Sequence, residues 1–218
     1  MFLSLEGLDA SGKHTQSENL KRYFERLGRD VMKFDFPRYE SVTGQMIKDH
    51  LKGLWTVETQ LVDQDKPALY ASDPGTYLFQ CCQLVNRMEC LPDAVWDQKA
   101  TDRFHRPRIF IADRYNASAY AYGMAFGIDF DWLVKTHRHL PQPDVNIFLD
   151  IPVEESFARR PERRDNYERN AERLDRVRQC YIEVFKRLGP SYVVLNAQDS
   201  IDAVFKQILD VLWERKLV

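Results

Sequence analysis

The chain has 218 residues, enough for one sizeable core, and the expectation is a single domain. Its 31 Lys and Arg against 33 Asp and Glu leave a formal charge of -2, which builds in no broad attraction to nucleic acid or to an anionic membrane. Four cysteines, Cys81, Cys82, Cys90 and Cys180, lack CxxC pairing and sit among apolar neighbours, which excludes a disulfide framework and predicts buried thiols in a reducing compartment.

In chain order, residues 2–5 form a short apolar run that reads as a strand. The run is far too short for a signal-peptide core, and no later segment approaches a membrane span, so the expected address is the cytoplasm. It breaks into Gly7-Leu8-Asp9-Ala10-Ser11-Gly12-Lys13 ahead of a helix predicted over 13–27. Glycines let such a turn close until successive N–H groups point at phosphate oxygens, and Lys13 adds a mobile positive charge. The strand-loop-helix context favours a phosphate-binding loop over a turn that only reverses the chain. The pattern asks for Ser or Thr after the lysine to hold Mg²⁺; here His14 stands in that place and the hydroxyl follows at Thr15.

A second strand over 31–36 runs into Phe36-Pro37-Arg38-Tyr39 and then Ser41-Val42-Thr43-Gly44. Arginine can fork onto a phosphate and a tyrosine hydroxyl adds a neutral donor; the alternative is a proline-stiffened turn with a solvated arginine. A helix is predicted over 42–52. Residues 54–75 are the least patterned, punctuated by Pro67 and Pro74, and read as an inserted loop. Beyond them a long helix is predicted over 76–100, on which Cys81 and Cys82 face two sides.

The third strand, 109–112, leads directly into Asp113-Arg114-Tyr115. An acid at the carboxyl end of a parallel strand sits at the sheet rim where open α/β folds bind ligands, although a helix-capping Asp followed by a surface Arg has the same appearance. Helices over 117–126 and 131–137, a strand over 145–149 and a helix over 153–160 follow. Arg159, Arg160, Arg163 and Arg164 then crowd together, as in a lid that surrounds a phosphoryl group. The interleaved acids Glu162, Asp165 and Glu168 would equally suit a solvated helix. A helix over 167–188, a strand over 192–195 and a helix over 200–215 complete an alternation that predicts an α/β fold with a parallel sheet. His105, His137 and His139 read as surface or helix-end residues, and Trp96, Trp132 and Trp213 as packing.

Taken together, GLDASGKHTQ, FPRY, DRYNASAYAYG, PQPD ahead of the fourth strand and an arginine-rich stretch running into DNYERN resemble the thymidylate kinases of the nucleoside-monophosphate kinase group, over most of the chain. The resemblance implies a P-loop NTPase fold, a five-stranded parallel sheet with helices on both faces and an arginine-rich lid at about 157–168. It implies transfer of the γ-phosphoryl of ATP to dTMP with Mg²⁺, and a homodimer. By the same resemblance Gly7, Ala10, Ser11, Gly12, Lys13, His14 and Thr15 surround the ATP phosphates, and Asp9 faces the acceptor 3′-hydroxyl or, with Glu168, the metal. Arg38, Tyr39 and Arg114 grip the acceptor phosphate, Asp113 organises the metal and its waters, and Tyr122 and Tyr167 pack on the deoxyribose. Phe36 and Ser118 belong to the same substrate set, and Arg87 contacts the base edge.

The helix position one turn before Arg87, usually a stacking Phe in the family, is Gln83, so that either Phe79 substitutes or Gln83 hydrogen-bonds the base; an outward-facing Gln83 is the third arrangement. With Ala10 in the loop and Arg159, Arg160, Arg163 and Arg164 beyond it, the chain resembles the members whose catalytic arginine is in the lid. Alternatives to dTMP phosphorylation are a kinase for another deoxynucleoside monophosphate, a deoxynucleoside kinase, and a nucleotide-binding module without catalysis.

Overall fold

The computed structural model describes residues 1–52, 54, 74–97, 108–162 and 170–218. Five strands, β1 (Phe2–Glu6), β2 (Val31–Asp35), β3 (Ile109–Asp113), β4 (Val145–Asp150) and β5 (Tyr192–Asn196), form one sheet in the order β2-β3-β1-β4-β5. Every pairing is parallel, so all carboxyl ends share one edge. β1 lies at the centre and is buried along its whole length. Leu3 and Leu5 point to one face, where Leu20 and Phe24 of α1 (Lys13–Arg26) and Val204, Ile208 and Leu212 of α9 (Ile201–Glu214) meet them. The i, i+4, i+8 spacing on α9 gives one apolar stripe, and burying each such side chain stabilises the fold by about 1.5–3 kcal/mol.

The opposite face is covered by α5 (Asn116–Ala125) and α8 (Ala171–Leu188), through Ala117, Tyr120 and Ala121 against Leu174, Val177 and Tyr181. Here β1 offers Ser4 and Glu6, both fully buried. Ser4 donates to Asn146 Oδ1 at 2.7 Å, and Glu6 serves the site described below. The short helices α6 (Phe130–His137) and α7 (Val153–Arg159) flank this layer. Beyond β2, α2 (Val42–Leu51) packs on α3 (Pro74–Cys90) through Ile47, Phe79 and Cys82. Gly44 lets the turn after β2 fold onto the first turn of α2: a Cβ there would lie 1.7 Å from the carbonyl oxygen of Arg38.

Four expectations are corrected. The helix predicted over 76–100 is two helices, α3 and α4 (Asp93–Trp96), because Pro92 has no N–H to continue the ladder and disfavours helical geometry at Leu91. His137 does end a helix, closing α6, but it is not at the surface: it is fully buried, donates through Nδ1 to the Leu133 carbonyl at 2.9 Å and meets Tyr120 edge-on at 5.4 Å. Burial pushes its pKa down to about 4. Trp213 is 60% exposed, since Leu212 takes the inward position of that turn, and Trp96 at the end of α4 is also exposed; Trp132 does pack, edge-on to Tyr77 at 5.0 Å. Cys81 is exposed while Cys82 is buried. Most of the predicted insertion at 54–75, His105 and the start of the helix predicted from 167 lie outside the described residues; α8 is described from its Asn170 cap, whose side chain accepts from Arg173 N at 2.9 Å.

Candidate functional site

The loop between β1 and α1 lies at the carboxyl edge of the central strand. Gly7 is required by close approach, because a Cβ there would come within 2.8 Å of the Leu149 carbonyl oxygen. Gly12 caps α1 in a left-handed conformation with no side-chain cap hydrogen bond, which leaves the first-turn N–H groups to an anionic ligand. Lys13 folds back over the loop: Nζ donates to the Leu8 carbonyl at 2.7 Å and to Ser11 Oγ at 3.4 Å. Burial, together with the Arg114 charge, lowers its pKa from 10.5 to about 8, while Asp9, Asp113 and Glu6 act in the opposite direction. Ala10 and Ser11 complete the turn; His14 and Thr15 are exposed.

Helix α7 docks on this loop from the other side. Ser156 Oγ donates to the Asp9 carbonyl at 2.7 Å, and Arg159 donates to the Ala10 carbonyl at 3.4 Å and to the Ala197 carbonyl at 2.9 Å. An arginine at the root of the predicted lid is thereby held against the phosphate loop.

At the end of β3, Arg114 takes a positive φ of 66°, a conformation that costs a non-glycine residue about 1–3 kcal/mol. The turn aims its side chain back across the sheet. The guanidinium donates to the Gly7 carbonyl at 3.0 Å, pairs with the Asp9 carboxylate and lies 5.9 Å from the centre of the Tyr122 ring. Asp9, for which the resemblance implies either the acceptor 3′-hydroxyl or the metal, is thus held in an ion pair with Arg114.

The metal-ligand spacing occurs elsewhere: among the described residues His14, Asp35 and Asp113 bring one ligand atom each within 4.8 Å of one another. Asp35 and Asp113 are register partners on β2 and β3. Asp35 was not anticipated, since its proximity to Asp113 follows from strand pairing.

Behind Arg114, buried Glu6 accepts from Tyr115 N at 2.8 Å and from Ser118 Oγ, and Ser118 also pairs with Tyr181 OH at 2.8 Å. Burial pushes the Glu6 carboxyl pKa up, against the Ser118 hydrogen bond and the Arg114 and Arg87 charges. Its position on β1 carried no sequence signal beyond an acid in an apolar strand.

These elements wall a cleft of about 470 Å³ between α2, α3 and α5. Phe79, Leu51, Ala119 and Tyr122 make its apolar surface, Asp9, Tyr39, Gln80, Gln83 and Ser118 its polar points, and Arg87, Arg114, Arg160, Lys48 and Lys52 its cations. Lys48 and Lys52 were missed, although their i, i+4 spacing on α2 was a readable signal. Arg87 is only 1% exposed; its guanidinium donates to the Gln83 carbonyl at 2.7 Å, Gln83 Oε1 at 3.1 Å and the Tyr115 carbonyl at 2.7 Å. Gln83 is thus a cleft residue braced by Arg87, which removes the outward-facing arrangement.

Phe36 and Arg38 do not wall the cleft. Phe36 is buried against Phe34 and Tyr115, with the Arg87 guanidinium over its ring at 5.5 Å. Arg38 is exposed, and Asn86, another residue the sequence reading missed, clamps its backbone: Oδ1 accepts from Arg38 N at 2.9 Å and Nδ2 donates to its carbonyl at 3.2 Å. Arg163, Arg164, Tyr167 and Glu168 lie outside the described residues.

The family model described as thymidylate kinase matches residues 5–208. A probable thymidylate kinase of Methanosphaera stadtmanae is 30% identical over 209 residues, covering 95% of each chain. The thymidylate kinase of Schizosaccharomyces pombe is 28% identical over 213 residues, 97% of this chain and 90% of that one. In fold, the solved structure of thymidylate kinase from Candida albicans superposes with a TM-score of 0.77 at 23% identity, covering 99% of this chain and 92% of that one.

Proposed function

The chain belongs to the thymidylate kinase family, whose enzymes transfer a phosphoryl group from ATP to dTMP to give dTDP, and from that premise we propose how its residues divide the work. The observation that carries the reading is Arg114, which joins the phosphate loop to the cleft through Gly7 and Asp9. ATP phosphates lie on the first-turn N–H groups of α1, with Lys13 leaving the Leu8 carbonyl to meet them. The acceptor phosphate lies against Arg114, Arg160 and Tyr39, in line with the loop; Arg38, exposed on the same turn between the cleft residues Pro37 and Tyr39, reaches it by side-chain torsion. Tyr122 packs on the deoxyribose. Phe79 and the Gln83–Arg87 pair receive the base.

Asp113 and Asp35 offer the oxygen donors that fit Mg²⁺, whose charge, when the ion is bound with the nucleotide, neutralises the transferring phosphoryl group. Arg159 and Arg160 support the lid-arginine reading, because the first touches the loop at Ala10 and the second walls the cleft. We read the whole chain as a single domain, since one sheet edge carries both loop and cleft. Among the described residues no helix is long and apolar enough to cross a membrane, and we assign the activity to the cytoplasm.

The test is ADP release with Mg·ATP against dTMP, dUMP, dCMP, dGMP and thymidine at matched concentrations. dTMP is expected to lead; a preference for thymidine would overturn the reading, because Arg114 and Arg160 would then face no acceptor phosphate. Gln83→Phe is expected to change the ranking of acceptor bases by roughly tenfold, the scale of one hydrogen bond made or lost to a buried group. An unchanged ranking would remove Gln83 from base recognition.

We also propose a homodimer through α3. Leu78, Cys81, Val85 and Met88 are all exposed at helical spacing, and Val42 and Met46 on α2 are exposed as well. Sedimentation is expected to give a dimer in the parent and a monomer in Val85→Lys. A monomeric parent would refute this part alone.

A further inference from the structure

We propose that His14, Asp35 and Asp113 form a site for a first-row transition-metal dication that fills before any nucleotide arrives. His14 is the second residue of α1, and the two aspartates end adjacent parallel strands in register, Asp35 opposite Asp113. His14 Nδ1 lies 3.8 Å from Asp113 Oδ2, and one ligand atom from each of the three residues falls within 4.8 Å of the others. Ligands at about 2.1 Å from one ion stand about 3 Å apart when adjacent and about 4.2 Å apart when opposite, so the three already approach that geometry. The remaining adjustment is a matter of side-chain torsions, for which the 74% exposed His14 side chain and the 57% exposed Asp35 side chain have room.

The donor set decides the class of ion. Mg²⁺ takes oxygen ligands and retains its waters, whereas an imidazole nitrogen with two carboxylates suits Mn²⁺, Co²⁺ or Zn²⁺. Where the phosphate-loop pattern has a hydroxyl, His14 supplies that nitrogen. Lys33 braces the site from outside: Nζ donates to Asp35 Oδ1 at 2.8 Å, leaving the second oxygen for an ion, and its charge is shared with Glu18 at 3.1 Å. Outer partners of this kind orient ligating groups. The ion would sit by the residue after Lys13, where donor phosphates arrive, and water or their oxygens would complete its shell.

This inference rests on the three side chains and is independent of the acceptor's identity. The experiment titrates the full-length, nucleotide-free protein with Co²⁺, following its visible absorption, and with Mn²⁺ by calorimetry. The parent is expected to bind one equivalent of either ion. His14→Thr, which restores a hydroxyl at an exposed position, and Asp35→Asn are each expected to weaken binding by roughly tenfold or more. In the parent, turnover with Mn²⁺ relative to Mg²⁺ should exceed that of His14→Thr. Absence of saturable one-equivalent binding, or equal affinity in His14→Thr, overturns the proposal. Cobalt binding lost with His14→Thr in a protein that fails to phosphorylate dTMP would uphold the metal site and defeat the kinase reading.

Discussion

Replacing Lys13 by alanine is expected to lower kcat by roughly 100-fold or more, about 3 kcal/mol of barrier, with little change in the KM for dTMP. The ammonium is buried in the loop and held by the Leu8 carbonyl and Ser11 Oγ, contacts that phosphate oxygens of bound ATP are expected to replace. The first-turn N–H groups survive the substitution, so ATP still binds and the loss falls on the developing charge of the transition state. Stability provides the control. The folded pKa lies below the unfolded value, so below about pH 8 the buried charge works against folding, and Lys13→Ala should melt no lower than the parent. Steady-state rates beside a thermal melt make the test; activity within a few-fold of the parent would remove Lys13 from catalysis.

Arg114→Ala is expected to raise the KM for dTMP by roughly 10–100-fold, the scale of a charge-assisted hydrogen bond of about 1.5–3 kcal/mol, and to change the KM for ATP far less. Two effects act together. The guanidinium leaves the acceptor side, and Asp9 loses its Arg114 ion pair, so that more of its negative charge is felt on the cleft wall by the incoming phosphate. Adding Asp9→Asn should therefore recover part of the KM, a coupling that a purely additive pair would lack. Arg114→Lys keeps the charge and loses the fork that reaches Gly7 and Asp9 together, so an intermediate value is expected. Equal increases in the KM values for ATP and dTMP would place Arg114 with the donor instead.

What the sequence disclosed was local. The phosphate loop is a run of neighbouring residues whose glycines and lysine can be read together, and the strand before Asp113-Arg114 puts that pair at the sheet rim, although it does not by itself distinguish it from a capping acid and a surface arginine. Strand periodicity was enough for the parallel sheet, because β1, β3 and β4 are buried apolar runs that end together. Properties that depend on which elements become neighbours were harder to read. Asp35 meets Asp113 only because β2 pairs with β3, and the burial of His137, with Tyr120 of α5 edge-on to it, depends on how α6 packs against α5. Phe36, the residue after β2, points into the core under Arg87, although its place in an FPRY turn suggested a ligand contact. The break at Pro92 was written in the sequence, but the apolar pattern on both sides of it obscured the stop.

The depressed pKa of Lys13 also predicts that ATP binding near pH 8 takes up protons. With its pKa lowered to about 8, Lys13 is partly neutral near that pH in the nucleotide-free protein, and polyphosphate oxygens are expected to draw it back to the ammonium. Each mole of ATP bound then takes a fraction of a mole of protons from the buffer. The apparent heat of binding at that pH should accordingly differ between buffers of high and low ionisation enthalpy, while about two units lower, where Lys13 is already charged, its contribution to that difference should vanish.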